Sequence, residues 1–148
     1  MKIAALLACA AAAIAVPAAL AWPGRPPAPP PKPPSAVHPP AAWVETTAES
    51  AWLAYGSYCW KTACIDMIPP QTRPDLPVFT AKRGAGVRVH LAFAPSSVSV
   101  SIDGRTVVAV LDKARRIVSW KARRGGVLNV FTRMEGDASY VARLKLRR

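Results

Sequence analysis

From Gly86 to Leu146 apolar residues return again and again at every second position, and this period of two constrains the fold more than any other feature of the chain. Side chains of an extended strand alternate between two faces, so such a pattern describes strands with one face buried and the other in water. In the segment VRVHLAF, Val87, Val89, Leu91 and Phe93 fall on one face, and Arg88, His90 and Ala92 on the other. The segment SVSVSI sets Val98, Val100 and Ile102 inward and three serines outward, and Asp103-Gly104 then supplies a turn. Thr106 to Leu111 is apolar on both faces and reads as a further strand. Arg116 to Lys121 alternates again, with Val118 and Trp120 toward the core, until Arg124, Gly125 and Gly126 break the pattern. Val127 to Thr132 and Ser139 to Leu146 complete the set around the turn-forming Glu135, Gly136 and Asp137. No stretch after Trp43 keeps a helical period. Short strands with turn signals about every eight to twelve residues predict an all-β fold, an antiparallel β-sandwich of seven to nine strands.

The segment Gly136-Asp137-Ala138-Ser139-Tyr140 resembles the approach to the tyrosine corner of immunoglobulin-like sandwiches, which makes that variety the expected one. Antibody domains carry a cysteine two residues after that tyrosine. Ala142 stands there in this chain, so no inter-sheet disulfide is expected.

The N-terminal region is organised differently. Lys2 is followed by an apolar run from Ile3 to Val16, then Pro17 and the small-x-small triplet Ala19-Leu20-Ala21. This is the layout of a secretory signal peptide, so residues 1–21 are read as cleaved after Ala21. An uncleaved membrane anchor is the alternative, because Ile3 to Trp22 is just long enough to span a bilayer. A lipobox at Leu6-Leu7-Ala8-Cys9 would leave only eight residues before the lipidated cysteine, too few for an export signal. Residues 22–42 form a proline-rich linker, with ten prolines between Trp22 and Pro40. Fixed φ angles and missing amide donors direct such a segment into extended polyproline II. It reads as a passive stalk in preference to a ligand for proline-recognition domains, which are chiefly intracellular. Residues 43–148 are one domain's worth of chain, enough to bury its own core.

Cleavage also removes Cys9, which leaves Cys59 and Cys64 as a pair in an oxidising compartment, where an even count reads as one disulfide. A metal site would need more ligands than His38, in the proline tract, and His90 can supply, and neither a metal nor another cofactor is expected. A thioredoxin-type redox site needs two intervening residues, whereas four separate these cysteines. With Lys61 and Thr62 at the tip of a hairpin, Trp60 faces Ala63 and Cys59 faces Cys64, near the spacing a disulfide tolerates. The cysteines would then staple the hairpin and do no chemistry.

The run Gly56-Ser57-Tyr58-Cys59-Trp60, followed by Cys64-Ile65-Asp66 and a proline-containing turn, resembles a motif of extracytoplasmic β-sandwich domains in bacterial lipoproteins and secreted proteins. Those domains end a later strand pair in Gly-Asp-x-x-Tyr, which Gly136 to Tyr140 match. The resemblance implies an immunoglobulin-like sandwich outside the cytoplasm, and it implies no particular ligand. The chain departs from the lipoprotein members in lacking a properly placed lipobox.

For catalysis the candidates are sparse. Asp66 and Asp75 flank a proline-rich turn, His90 sits beside Arg88, and the serines of Ser97 to Ile102 are explained by alternation with apolar residues. These do not make a nucleophile, base and orienter, and Gly84 and Gly86 precede a strand where a phosphate loop would precede a helix, so no enzyme is expected. Charge is the stronger signal. Twenty Lys and Arg stand against eight Asp and Glu, and Lys2 alone of these lies in the first 21 residues. Lys113, Arg115, Arg116, Lys121, Arg123 and Arg124 crowd around Trp120, and on adjoining strands they would form one cationic rim suited to phosphate or carboxylate polymers. A solvated basic surface of a GC-rich genome would have the same composition. Two functions are therefore carried forward. One is a non-catalytic binding or interaction module of the cell envelope, with anionic envelope polymers, lipid headgroups or a protein as partner and no nucleic acid expected. The other is a protease inhibitor presenting the stapled tip Trp60 to Ala63 or the loop Pro69 to Pro77. Membrane attachment is expected only if the N-terminal segment is retained.

Overall fold

The computed structural model describes residues 26–27 and 37–148. The expected signal peptide, residues 1–21, and most of the linker lie outside the described residues. In chain order the strands are β1 (Trp43–Thr46), β2 (Ser50–Trp52), β3 (Ala54–Trp60), β4 (Ala63–Ile65), β5 (Val78–Lys82) and β6 (Gly86–His90). They continue with β7 (Ser97–Ile102), β8 (Arg105–Thr106), β9 (Val110–Leu111), β10 (Ile117–Lys121), β11 (Gly126–Arg133) and β12 (Asp137–Arg147). A single 3-10 turn, Pro70–Thr72, is the one helical element among the described residues.

Two sheets pack face to face, one ordered β2-β1-β6-β10-β9 and the other β4-β3-β12-β11-β7-β8. The pairings are antiparallel except that β5 runs parallel to the C-terminal half of β12, from Arg143 to Arg147. The run β1-β6-β10-β9 has the A-B-E-D order of an immunoglobulin sheet, and β12-β11-β7 has the G-F-C order of its partner. The expected all-β, immunoglobulin-like sandwich is thus present. Its strands number twelve among the described residues, because several edge segments are only two or three residues long and because β3 and β4 form a hairpin inserted between β1 and β5.

Alternation accounts for the core. Val44, Val87, Val89, Val118 and Trp120 point inward from one sheet, and Val100, Ile102, Leu128, Val130, Tyr140 and Leu144 from the other. Two expectations change at the level of the strand. Thr106 to Leu111 is not one strand: β8 ends at Thr106, Val107–Ala109 crosses between the sheets, and β9 begins at Val110. An apolar run on both faces suits that crossing, since Val107, Ala109 and Leu111 pack against the core while Val108 is 92 % exposed. The tyrosine expected at a corner lies instead within β12, the last strand. Its hydroxyl donates to the Pro40 carbonyl at 2.7 Å, across a hundred residues of sequence.

That bond also places the start of the folded unit earlier than Trp43. Pro39 is buried and Ala42 is fully so, the Ala42 carbonyl accepts from the Leu53 N–H at 2.9 Å, and the Tyr55 hydroxyl donates to the Pro39 carbonyl at 2.8 Å. The hairpin forms as its spacing predicts. Cys59 pairs with Cys64 and Trp60 with Ala63, the two cysteines are disulfide-bonded, and Lys61 turns the chain with a φ of 51°.

Candidate functional site

The basic residues that cluster in sequence do not form one rim. Strand β10 separates them: Lys113, Arg115 and Arg116 precede it, and Lys121, Arg123 and Arg124 end and follow it. Five extended residues span about 17 Å, so the two groups sit at opposite ends of the sandwich. Arg115 is further committed to the fold. Its Nε donates to the Pro95 carbonyl at 2.8 Å and its Nη2 to the Ser96 carbonyl, which braces the connection between β6 and β7. Asp112 organises the same loop by accepting the N–H groups of Arg116 at 2.7 Å and Ile117 at 2.8 Å. Those amides, Ile117 foremost, hold its carboxyl below the usual carboxylate range. Trp120 faces the core, as the alternation requires, and its ring is not available to an outside ligand as a stacking surface.

The second group is joined by cations from distant parts of the chain. Lys121, Arg123 and Arg124 line a cleft of about 1040 Å³ together with Arg83 and Arg105. Ile102, Val107 and Val108 add apolar wall, and no acidic residue lines it.

Each wall has a local cause. Arg83 stands at the turn between β5 and β6, where Gly84 takes a φ of 82° and donates its N–H to the Ala122 carbonyl at 2.8 Å. Ala122 returns the bond to the Ala85 carbonyl and is fully buried, so Lys121 and Arg123 on either side of it are exposed. The Arg83 Nη1 donates to the Arg123 carbonyl at 2.8 Å, which ties the two turns together. Arg105 follows the Asp103-Gly104 turn, where φ angles of 49° and 72° let β7 fold back on β8. The Asp103 carboxylate is used internally: it accepts the Val127 N–H at 2.8 Å and fills the space that a side chain at Gly126 would need. Gly126, with a φ of 138°, leaves room for that carboxylate.

Arg83 and Arg105 escape any reading based on local clustering. Counting antiparallel strands would have found them, because alternate turns of such a sandwich return to the same end.

The remaining candidates stay apart. His90 bonds the buried Glu45 through Nε2 at 2.8 Å, Asp66 accepts from the Ser57 hydroxyl at 2.8 Å, and Asp75 is paired with Arg73. Among the described residues no group of three or more His, Cys, Asp or Glu is placed to hold a metal ion. In the two loops considered for protease inhibition, Lys61 and Thr62 at the stapled tip and Pro69, Gln71, Thr72, Pro74 and Asp75 are exposed over internal supports. Trp60 is turned into the core against Phe93, with ring centroids 5.2 Å apart, and the Pro69–Pro77 loop is held from inside by the buried Arg73. Among the described residues no helix is long and apolar enough to cross a membrane. The disulfide is of a kind that persists in oxidising compartments.

Comparison with protein families, curated proteins and solved structures finds no match to this chain.

Proposed function

We propose that this chain is an exported, non-catalytic binding module of the bacterial cell envelope, and that its basic cleft recognises an anionic envelope polymer. The observation that carries the reading is the convergence of Arg83, Arg105, Lys121, Arg123 and Arg124 from three separate segments onto one cleft without an acidic residue in its lining. A basic composition alone would scatter its charges. Like charges gathered on one concave surface raise each other's energy and are relieved by an anion, and a cleft focuses the field that draws one in. Four of the five are arginines, whose planar forks meet carboxylate and phosphate groups with paired hydrogen bonds. Export and an extracytoplasmic place are supported by the N-terminal layout and the disulfide, and by the likeness to sandwich domains of secreted proteins.

Retention on anionic cell-wall polymer tests the reading. Wild-type protein should be held near physiological salt and released as salt rises, and Arg123→Glu with Arg124→Glu should lose retention. A wild type that passes through unretained removes the proposal. Retention on anionic vesicles but not on polymer would reassign the cleft to lipid headgroups.

A further inference from the structure

A second concentration of recognition chemistry lies on the outer face of the other half of the molecule, and it is aromatic. Register sets Trp52, Trp43 and His90 side by side across β2, β1 and β6. Directly opposed residues share a face, and because Val44 and Val89 at the alternate positions are buried in the core, this row projects outward. The Trp43 and His90 rings are stacked, with centroids 3.7 Å apart and planes inclined by 3°. Trp52, on the edge strand, donates its indole N–H to the carbonyl of Pro27 at 2.7 Å, reaching a residue twenty-five positions earlier in the proline-rich segment. The same segment is read twice more by aromatic donors: Tyr55 bonds the Pro39 carbonyl and Tyr140 the Pro40 carbonyl.

Three aromatic donors meeting three proline carbonyls follow a recognisable logic. A proline-rich strand has carbonyls that no amide of its own can satisfy, and it presents flat apolar rings along an extended helix that is already ordered. A surface that binds it must offer both flat faces and hydrogen-bond donors, and indole and phenol groups offer the two together. The contacts at Pro39 and Pro40 belong to the folded unit, with Tyr140 fully buried. The contact at Pro27 differs, since Trp52 is only half-buried and sits at the edge of its sheet.

We propose that the row Trp52-Trp43-His90 is a binding site for proline-rich segments in the polyproline II conformation, that the chain fills it with its own Pro26-Pro27, and that an equivalent segment supplied by another molecule competes for it. The tethered segment acts at high effective concentration and suppresses exchange until it is outcompeted or removed. The partner class is therefore a proline-rich stalk, such as that of a second copy of this chain. The segment carries Arg25 and Lys32 and no acid, so a control peptide that keeps both charges and loses the prolines separates ring recognition from attraction of charge.

The test uses the exported chain and a variant of it in which every proline from Pro23 to Pro34 is serine, with Pro39 and Pro40 kept. A synthetic peptide of residues 23–36 is titrated into each isotope-labelled protein, and the indole N–H resonances of Trp43 and Trp52 are followed. The peptide should shift both resonances in the serine variant at concentrations about tenfold or more below those needed with the native tail. Trp52→Phe in the serine background, read at Trp43, should weaken binding about fivefold, the value of one hydrogen bond. The peptide with serine in place of proline, identical in charge, should shift nothing. Absence of any shift, equal shifts by the two peptides, or an affinity unaffected by Trp52→Phe each overturns the site. Equal affinity of both tails overturns the internal occupancy. Retention of Trp52→Phe on anionic polymer should equal that of wild type, so the aromatic row and the basic cleft stand or fall separately.

Discussion

Arg73 carries a charge that is only 7 % exposed, and three hydrogen bonds account for it. Its Nε and Nη2 fork onto the two carboxylate oxygens of Asp75 at 3.1 and 2.9 Å, and its Nη1 donates to the Tyr55 carbonyl at 2.6 Å. The hydrogen bonds to Asp75 raise the guanidinium further above its ordinary value, and those from Arg73 hold the Asp75 carboxyl below its own. A carboxyl whose folded value is depressed contributes stability that is fully present above the ordinary carboxylate value, about pH 4, and is lost as pH falls through the lower folded value. Asp75→Asn should therefore melt below wild type at neutral pH, and the difference should close as pH drops under about 4. Melting temperatures of both proteins from pH 7 to pH 2 check this. A gap of constant size would mean that the fork is not what Asp75 contributes. Tyr140 makes a second residue-scale prediction. Burial, with Tyr55 adding to it, pushes its phenol well above the usual range, so the hydroxyl remains a donor to Pro40 at every accessible pH. Tyr140→Phe keeps the ring and removes the donor, and chemical denaturation should show a loss of about 1–2 kcal/mol. The same variant should leave the Trp52–Pro27 contact in place, since only the anchored end of the segment depends on Tyr140.

The β3–β4 hairpin shows how far an element can be read from spacing alone. Two residues at the tip set the register, the register puts Cys59 opposite Cys64, and the cross-link follows. Replacing both cysteines by alanine should lower the unfolding free energy by roughly 2 kcal/mol, the chain-entropy value for so short a loop, and leave the β spectrum and polymer retention unchanged. Loss of retention in that variant would give the hairpin a role in binding. The strands with strict alternation were equally legible, because burial on one face forces the period that SVSVSI and VRVHLAF display. Legibility failed where a segment answers to two sheets at once. Val107–Ala109 is apolar on both faces because it crosses from one sheet to the other, and a periodic argument cannot distinguish that from a buried strand. The tyrosine motif failed for a related reason. A strand tyrosine near a Gly-Asp turn has the same local pattern whether its hydroxyl closes a corner a few residues away or, as in Tyr140, reaches a carbonyl a hundred residues upstream. The proline tract concealed its own contacts, since a segment that reads as a spacer also presents the carbonyls that Trp52, Tyr55 and Tyr140 bind.

At the scale of the whole molecule the excess of basic residues becomes a matter of placement. Arg83 and Arg105 are far from Lys121 in sequence and share its cleft, whereas Arg116 is near it in sequence and stands at the other end of β10. This geometry separates a working cleft from net charge by a screening argument. The Debye length is about 30 Å at 0.01 M salt and about 8 Å at 0.15 M, and the two ends of β10 lie about 17 Å apart, between these lengths. At the lower salt a polyanion responds to both ends together. At the higher salt it responds only to the end it touches. Three double variants alter the total charge equally: Arg123→Glu with Arg124→Glu at the cleft, Lys113→Glu with Arg116→Glu at the far end, and Arg25→Glu with Lys32→Glu on the stalk. Near 0.01 M the cleft and far-end variants should both weaken retention on anionic polymer, by similar amounts. Near 0.15 M only the cleft variant should do so, while the far-end and stalk variants rejoin wild type. The salt series is thus a ruler laid along β10. Three variants that weaken together at every salt concentration would reduce the cleft to a solvated surface, because net charge, which all three change alike, would then be enough to account for retention.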